Sequence, residues 1–236
     1  MEEKSKIIQA SDKKSKGIDR RTALKRIGGF TAGAALGGMA LANPQKLLAA
    51  EESEFPWPYE KLEVEELRKR GHYGHYLGNC SSGAFYAIMS ALDEKVGEPF
   101  SQMPYTPPNN MLHFGGSGIG AGMCCGALLG AFVSINLLTE SGKAKELVAE
   151  LMSWYKEAEI PSDIANQYGS NHEYLVDEYK SDEVITQTVA GSAMCYDSVS
   201  EWMSETGISH GDERRHERCA RLTGDVVAKT VELLNG

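Results

Sequence analysis

Five cysteines, Cys80, Cys124, Cys125, Cys195 and Cys219, are the residues of this chain best suited to chemistry. A thiolate is at once a nucleophile, half of a redox couple and a soft metal ligand. Two of the five are adjacent and close a glycine-rich stretch, Phe114-Gly-Gly-Ser-Gly-Ile-Gly-Ala-Gly-Met-Cys-Cys-Gly-Ala-Leu-Leu-Gly130. The five glycines from Gly115 to Gly122 let the backbone pass close to a bound group. Ala127, Leu128, Ala131, Phe132 and Ile135 then recur at helical spacing, which predicts a helix with Cys124 and Cys125 in its first turn. The unpaired N–H groups and the positive dipole end there favour a thiolate over a thiol.

Three kinds of chemistry compete for these thiols. They can be small buried hydrophobes or ordinary disulfides, but the odd count and the placement at helix starts weigh against that. They can ligate a metal or an iron-sulfur cluster, with helix N-termini offsetting the charge of several thiolates, or bind zinc or copper(I). They can also act as a redox-active dithiol, Cys125 pairing with Cys124 or Cys195. The chain contains no C-x-x-C, which weakens the thioredoxin-like version and excludes the compact ferredoxin and zinc-ribbon spacings. Among the histidines, His75 and His113 are the candidates to join a cysteine site. His72-x-x-His75 reads as a solvated loop pair, and His172, His210 and His216 sit among charges and read as surface residues. No Ser-His-Asp set, phosphate loop or carboxylate pair supports a hydrolase or kinase.

The elements that must position these thiols are helical. Tyr59 to Arg70 is amphipathic, Gly71 to Tyr76 reads as a polar aromatic loop, and Asn79 can cap a helix running to about Val96 with Cys80, Ala84, Ala87 and Ala91 on one face. Four prolines between Pro99 and Pro108 make the next segment irregular. Helices are expected to about Leu138, over 141–160, from 188 to 205 behind Cys195, and over 212–234 with Cys219 continuing its apolar stripe. Only Asp182 to Val189 hints at a strand. The expected fold is an all-α bundle of about five or six helices with a glycine-rich loop at the cysteine site. Its parts are a leader over 1–50, a linker and first helix over 51–70, and a helical redox domain over 71–236.

The first fifty residues have the features of an export signal: a basic region from Lys4 to Arg26, a weakly apolar Gly/Ala-rich run to Ala42, and small residues at Ala40-Leu41-Ala42 or Leu48-Ala49-Ala50 for a peptidase. Asp19-Arg20-Arg21-Thr22-Ala23-Leu24-Lys25 resembles the twin-arginine (Tat) consensus, and Tat carries folded, cofactor-loaded proteins. The apolar run is too short and glycine-rich for a membrane anchor. The destination expected is the periplasm or cell exterior, with no membrane anchor after cleavage. The leader carries ten Lys/Arg and four Asp/Glu, so the remainder has 14 basic and 29 acidic residues, a net charge near −15. Such a surface repels nucleic acid and suits a basic redox partner protein.

The chain also resembles the C_GCAxxG_C_C family of redox-active proteins over roughly residues 70 to 235. Asn79-Cys80 would supply its first cysteine, Cys125-Gly126-Ala127-Leu128-Leu129-Gly130 its motif, and Cys195 and Arg218-Cys219 the last two. The Cys-Gly order is the reverse of that in the family's name, and Cys124 matches none of the four family cysteines. It also resembles the split-Soret cytochrome c group, which implies a helical homodimer with an iron-sulfur centre on cysteines. The chain has no C-x-x-C-H, so covalent c-type haem is not expected. The resulting expectation is an electron-transfer or accessory redox protein, rather than a catalyst, with an iron-sulfur cluster on Cys80, Cys125, Cys195 and Cys219.

Overall fold

The structure is a computed structural model that describes residues 55–116, 122–176 and 182–236. The leader and the middle of the glycine stretch, residues 117–121, lie outside the described residues. Six α-helices occur among the described residues: α1 (Val64–Val96), α2 (Gly126–Leu138), α3 (Ser141–Glu157), α4 (Asp163–Ser170), α5 (Cys195–Thr206) and α6 (Glu213–Asn235). The all-α bundle is the observed architecture. Two short strands, β1 (Glu159–Ile160) and β2 (Thr188–Val189), pair antiparallel with Glu159 opposite Val189. The strand hint over 182–189 is realised only in its last two residues. None of the described helices is long and apolar enough to cross a membrane.

The main correction concerns α1. Gly71 to Tyr76 is helical, not a loop, and the break falls at Gly78 and Asn79, whose backbone leaves the helical region (Asn79 φ 66°). A glycine followed by an asparagine is the pair best able to take such angles. The break is sharp enough to turn α1 into two antiparallel limbs, 64–77 and 80–96. Arg70 on the first limb donates to Ser90 at 3.1 Å and to Glu94 at 2.8 Å on the second. Gly74 and Gly83 let the limbs touch, since a Cβ on Gly74 would stand 2.7 Å from the Gly83 carbonyl oxygen. The glycines that suggest a loop therefore serve helix contact.

Both limbs pack on α6. Leu67, Phe85, Ile88, Leu92, Val227 and Val231 form one buried cluster. Cys80 and Cys125 belong to a second, with Leu128, Ile135, Leu151, Tyr155, Leu222 and Val226. The α1–α6 seam also buries charge. Arg68 pairs with Asp225, which accepts from the Ser162 N–H at 2.7 Å. Arg221 Nε meets Glu217 at 2.7 Å, and the same carboxylate takes Tyr76 and His72 Nε2. His72 is fully buried and stacks on Tyr174 with ring centroids 3.6 Å apart, so it is no solvated loop residue.

Candidate metal centre

Four helical starts or faces carry the four family-type cysteines. Cys80 opens the second limb of α1, Cys125 is the N-cap of α2, Cys195 is the first residue of α5, and Cys219 lies in the second turn of α6. The starts of α2 and α5 are joined by main chain: Cys125 N–H donates to the Ala193 carbonyl at 2.9 Å, Cys195 N–H donates to that of Met123 at 2.5 Å, and Cys124 and Met194 form a β-bridge. Cys80 is brought against this junction by Gly126. A Cβ there would lie 2.5 Å from the Gly115 carbonyl oxygen, 2.9 Å from Cys80 Cβ and 3.2 Å from Ser81 N. Gly126→Ala is accordingly expected to cost about 2 kcal/mol, roughly 5 °C in Tm by thermal unfolding; an unchanged Tm would mean that this approach is not close.

The result is a single small cavity lined by Cys80, Cys125, Cys195 and Cys219, together with Tyr155, Ser198 and Arg218. Its volume is about 10 Å³, room for about one water. Among the described residues no three His, Cys, Asp or Glu side chains stand close enough to hold a metal ion, and the five cysteines form no disulfide. The four cysteines thus line one small cavity without being drawn together into a preformed ligand set.

The electrostatics differ from the expectation of easily ionised thiols. Burial pushes the Cys195 thiol up to about 12, with Cys125 and Cys219 adding to the effect and Arg218 and Arg215 opposing it. Burial also pushes Cys125 up, against the Tyr155 hydroxyl and the N–H groups of Leu128 and Ala127, the helix-start donors the sequence implied. The helix N-terminus acts in the expected direction, and desolvation outweighs it.

The other candidates separate. Cys124 is half-buried, directs its sulfur to the Cys125 carbonyl at 3.7 Å, and lies outside the four-cysteine cavity. His113 bonds the Asn110 carbonyl at 3.0 Å and lines a separate cavity of about 250 Å³. His75 is buried and lines a cavity of about 630 Å³ that also reaches Cys80, Cys195 and Cys219. Its Nδ1 lies 3.2 Å from Thr223 Oγ1, whose own proton is donated to the Cys219 carbonyl. Nδ1 therefore carries the imidazole proton, and Nε2, without a hydrogen-bond partner, keeps its lone pair. His216, expected at the surface, is half-buried with its ring centroid 4.6 Å from that of His75 and tilted 59° to it; its spacing of three from Cys219 on α6 is the signal in the sequence. Tyr155 and Arg218 also line the cysteine cavity, and neither was singled out as a site residue.

Fold and site together define an all-helical protein built around four separated cysteines, and the chain belongs to the family described as "Putative redox-active protein (C_GCAxxG_C_C)", whose model matches residues 79–233. Within reach of it is the split-Soret cytochrome c of Desulfovibrio desulfuricans (strain ATCC 27774 / DSM 6949 / MB), 30% identical over 230 residues that cover 92% of this chain and 78% of that protein. The fold is likewise similar to the structure reported as a novel iron centre in the split-Soret cytochrome c from Desulfovibrio desulfuricans ATCC 27774. That similarity has a TM-score of 0.64 and 30% identity, and covers 76% of this chain and 70% of the other.

Proposed function

We propose that this protein is an exported redox protein that holds an iron-sulfur centre through Cys80, Cys125, Cys195 and Cys219 and passes electrons to a partner protein. The observation that carries this reading is the convergence of four thiols from four helical segments on one cavity. The donor set fits: it is all sulfur, as iron-sulfur centres require, and the relative is reported to hold an iron centre. Bound there, the cluster supplies a one-electron couple. The chain's own contribution is burial, which excludes water, and the α2 N–H groups and Arg218, which favour negatively charged sulfur over neutral thiol. The cavity has room for about one water, so holding the cluster requires the four side chains to rearrange around it. The leader over 1–50 supports Tat export to the periplasm or cell exterior.

The competing readings make different measurements. Anaerobically purified protein is expected to show a broad visible absorption band with bound iron and acid-labile sulfide. Colourless, metal-free protein whose thiols titrate at a defined potential would replace the cluster with a thiol-disulfide oxidoreductase. Colourless protein with stoichiometric zinc or copper would replace it with a metal-binding protein.

A further inference from the structure

Arg218 is only 1% exposed, yet two of its guanidinium nitrogens, Nε and Nη1, have no hydrogen-bond partner. The third, Nη2, donates to Ser198 Oγ at 2.9 Å and reaches Thr188 Oγ1 at 3.5 Å. Both partners are neutral. The other two deeply buried arginines of the helical core are matched differently: Arg68 has Asp225 and Glu65, and Arg221 has Glu217. Among the described residues no carboxylate pairs with Arg218. The neighbouring Glu217 is already engaged by His72, Tyr76 and Arg221.

A guanidinium taken out of water without a counter-charge is expensive, and its unused donors add to the cost. What it does border is the four-cysteine cavity, which the buried Tyr155 hydroxyl also lines, acting on the Cys125 thiol. A pocket lined by unused donors and four sulfurs is built for an occupant that is negative and rich in acceptors.

We propose that Arg218 is the counter-cation of the metal–thiolate centre, its free N–H groups and fixed charge offsetting the negative charge of the four thiolates and of any sulfide they hold. This rests on the reading of the cysteines as one metal centre. Its consequence is electrostatic. Adding an electron makes the centre more negative, a nearby fixed positive charge stabilises that reduced form, and removing the charge lowers the reduction potential.

The test compares wild type with Arg218→Met, which keeps length and burial but loses charge, and Arg218→Lys, which keeps charge. In anaerobic redox titrations followed by visible absorption, the Met variant is expected to titrate at a more negative potential and the Lys variant close to wild type. Equal potentials in wild type and Met, or a Lys variant that behaves as Met does, overturn the proposal. Cobalt(II) binding, followed by its thiolate charge-transfer absorption, separates this proposal from the cluster reading. A wild type that holds no iron-sulfur centre but takes cobalt roughly tenfold more tightly than the Met variant fails the cluster and keeps the role of Arg218. Equal cobalt affinities overturn that role, and a wild type that takes neither overturns both.

Discussion

Cys125→Ser is expected to remove most of the visible absorption and bound iron of the anaerobically purified protein, while Cys124→Ser leaves both largely intact. The two neighbours differ in where the main chain puts them. Cys125 is the N-cap of α2, is 4% exposed and lines the cavity shared with Cys80, Cys195 and Cys219. Cys124 is spent on a β-bridge and turns its sulfur to the carbonyl of its neighbour. Serine is also a favoured N-cap residue, worth up to about 1 kcal/mol where its hydroxyl accepts from the first-turn N–H groups. Loss of iron from Cys125→Ser should therefore come without unfolding, as circular dichroism and thermal unfolding would show. Equal loss of iron in both variants would mean that the wrong neighbour has been assigned to the centre.

The largest loss of stability is expected from Glu217→Leu, about 3–5 kcal/mol in urea unfolding at neutral pH. The substitution leaves the Arg221 guanidinium and the His72 and Tyr76 donors without their common acceptor inside the α1–α6 seam. The same residue gives wild type an acid-sensitive stability. Burial acts to push its carboxyl up, but hydrogen bonds from His72 and Tyr76 and the Arg221 charge together hold it down at about 2, against an ordinary 4.5. Because the unfolded chain takes up this proton first, the contribution is complete above about pH 5 and is lost as pH falls towards 2. It amounts to roughly 3 kcal/mol. Stability measured from pH 7 down to 3 should fall along this part of the curve in wild type and more shallowly in the variant; parallel curves would show that Glu217 is not the group responsible.

Much of the helical framework was legible because its signals are local. The apolar stripe of α6 runs from Leu222 to Val231 and α2 follows its glycines as periodicity predicts, but α2 begins only at Gly126, which leaves Cys125 as its N-cap and puts Cys124 in a β-bridge instead of in the first turn. The first limb of α1 was legible only in part, because Gly71, Gly74 and two histidines look like a loop until the opposing limb is present to bury them. Arg218 was hidden for a related reason. It stands in the run Arg214-Arg215-His216-Glu217-Arg218, which has the composition of a solvated face, and only contact with Ser198 of α5 and Thr188 of β2, both distant in sequence, marks that position as internal. The thiols are shifted in the direction opposite to the one their helix starts predict: the first-turn donors can be read from sequence and do favour the thiolate, but burial, which depends on everything packed around the sulfur, pushes Cys125 and Cys195 up.

The junction between α2 and α5 bears on how such a site is inherited. Met123, Ala193 and Met194 hold two of the four sulfurs in register through peptide groups, and the side chains of Met123 and Met194 are 50% and 40% exposed. Peptide groups are the same in every residue except proline, so substitutions at these positions leave the sulfur spacing untouched. A chain and its relative can then diverge to 30% identity and still keep a common fold.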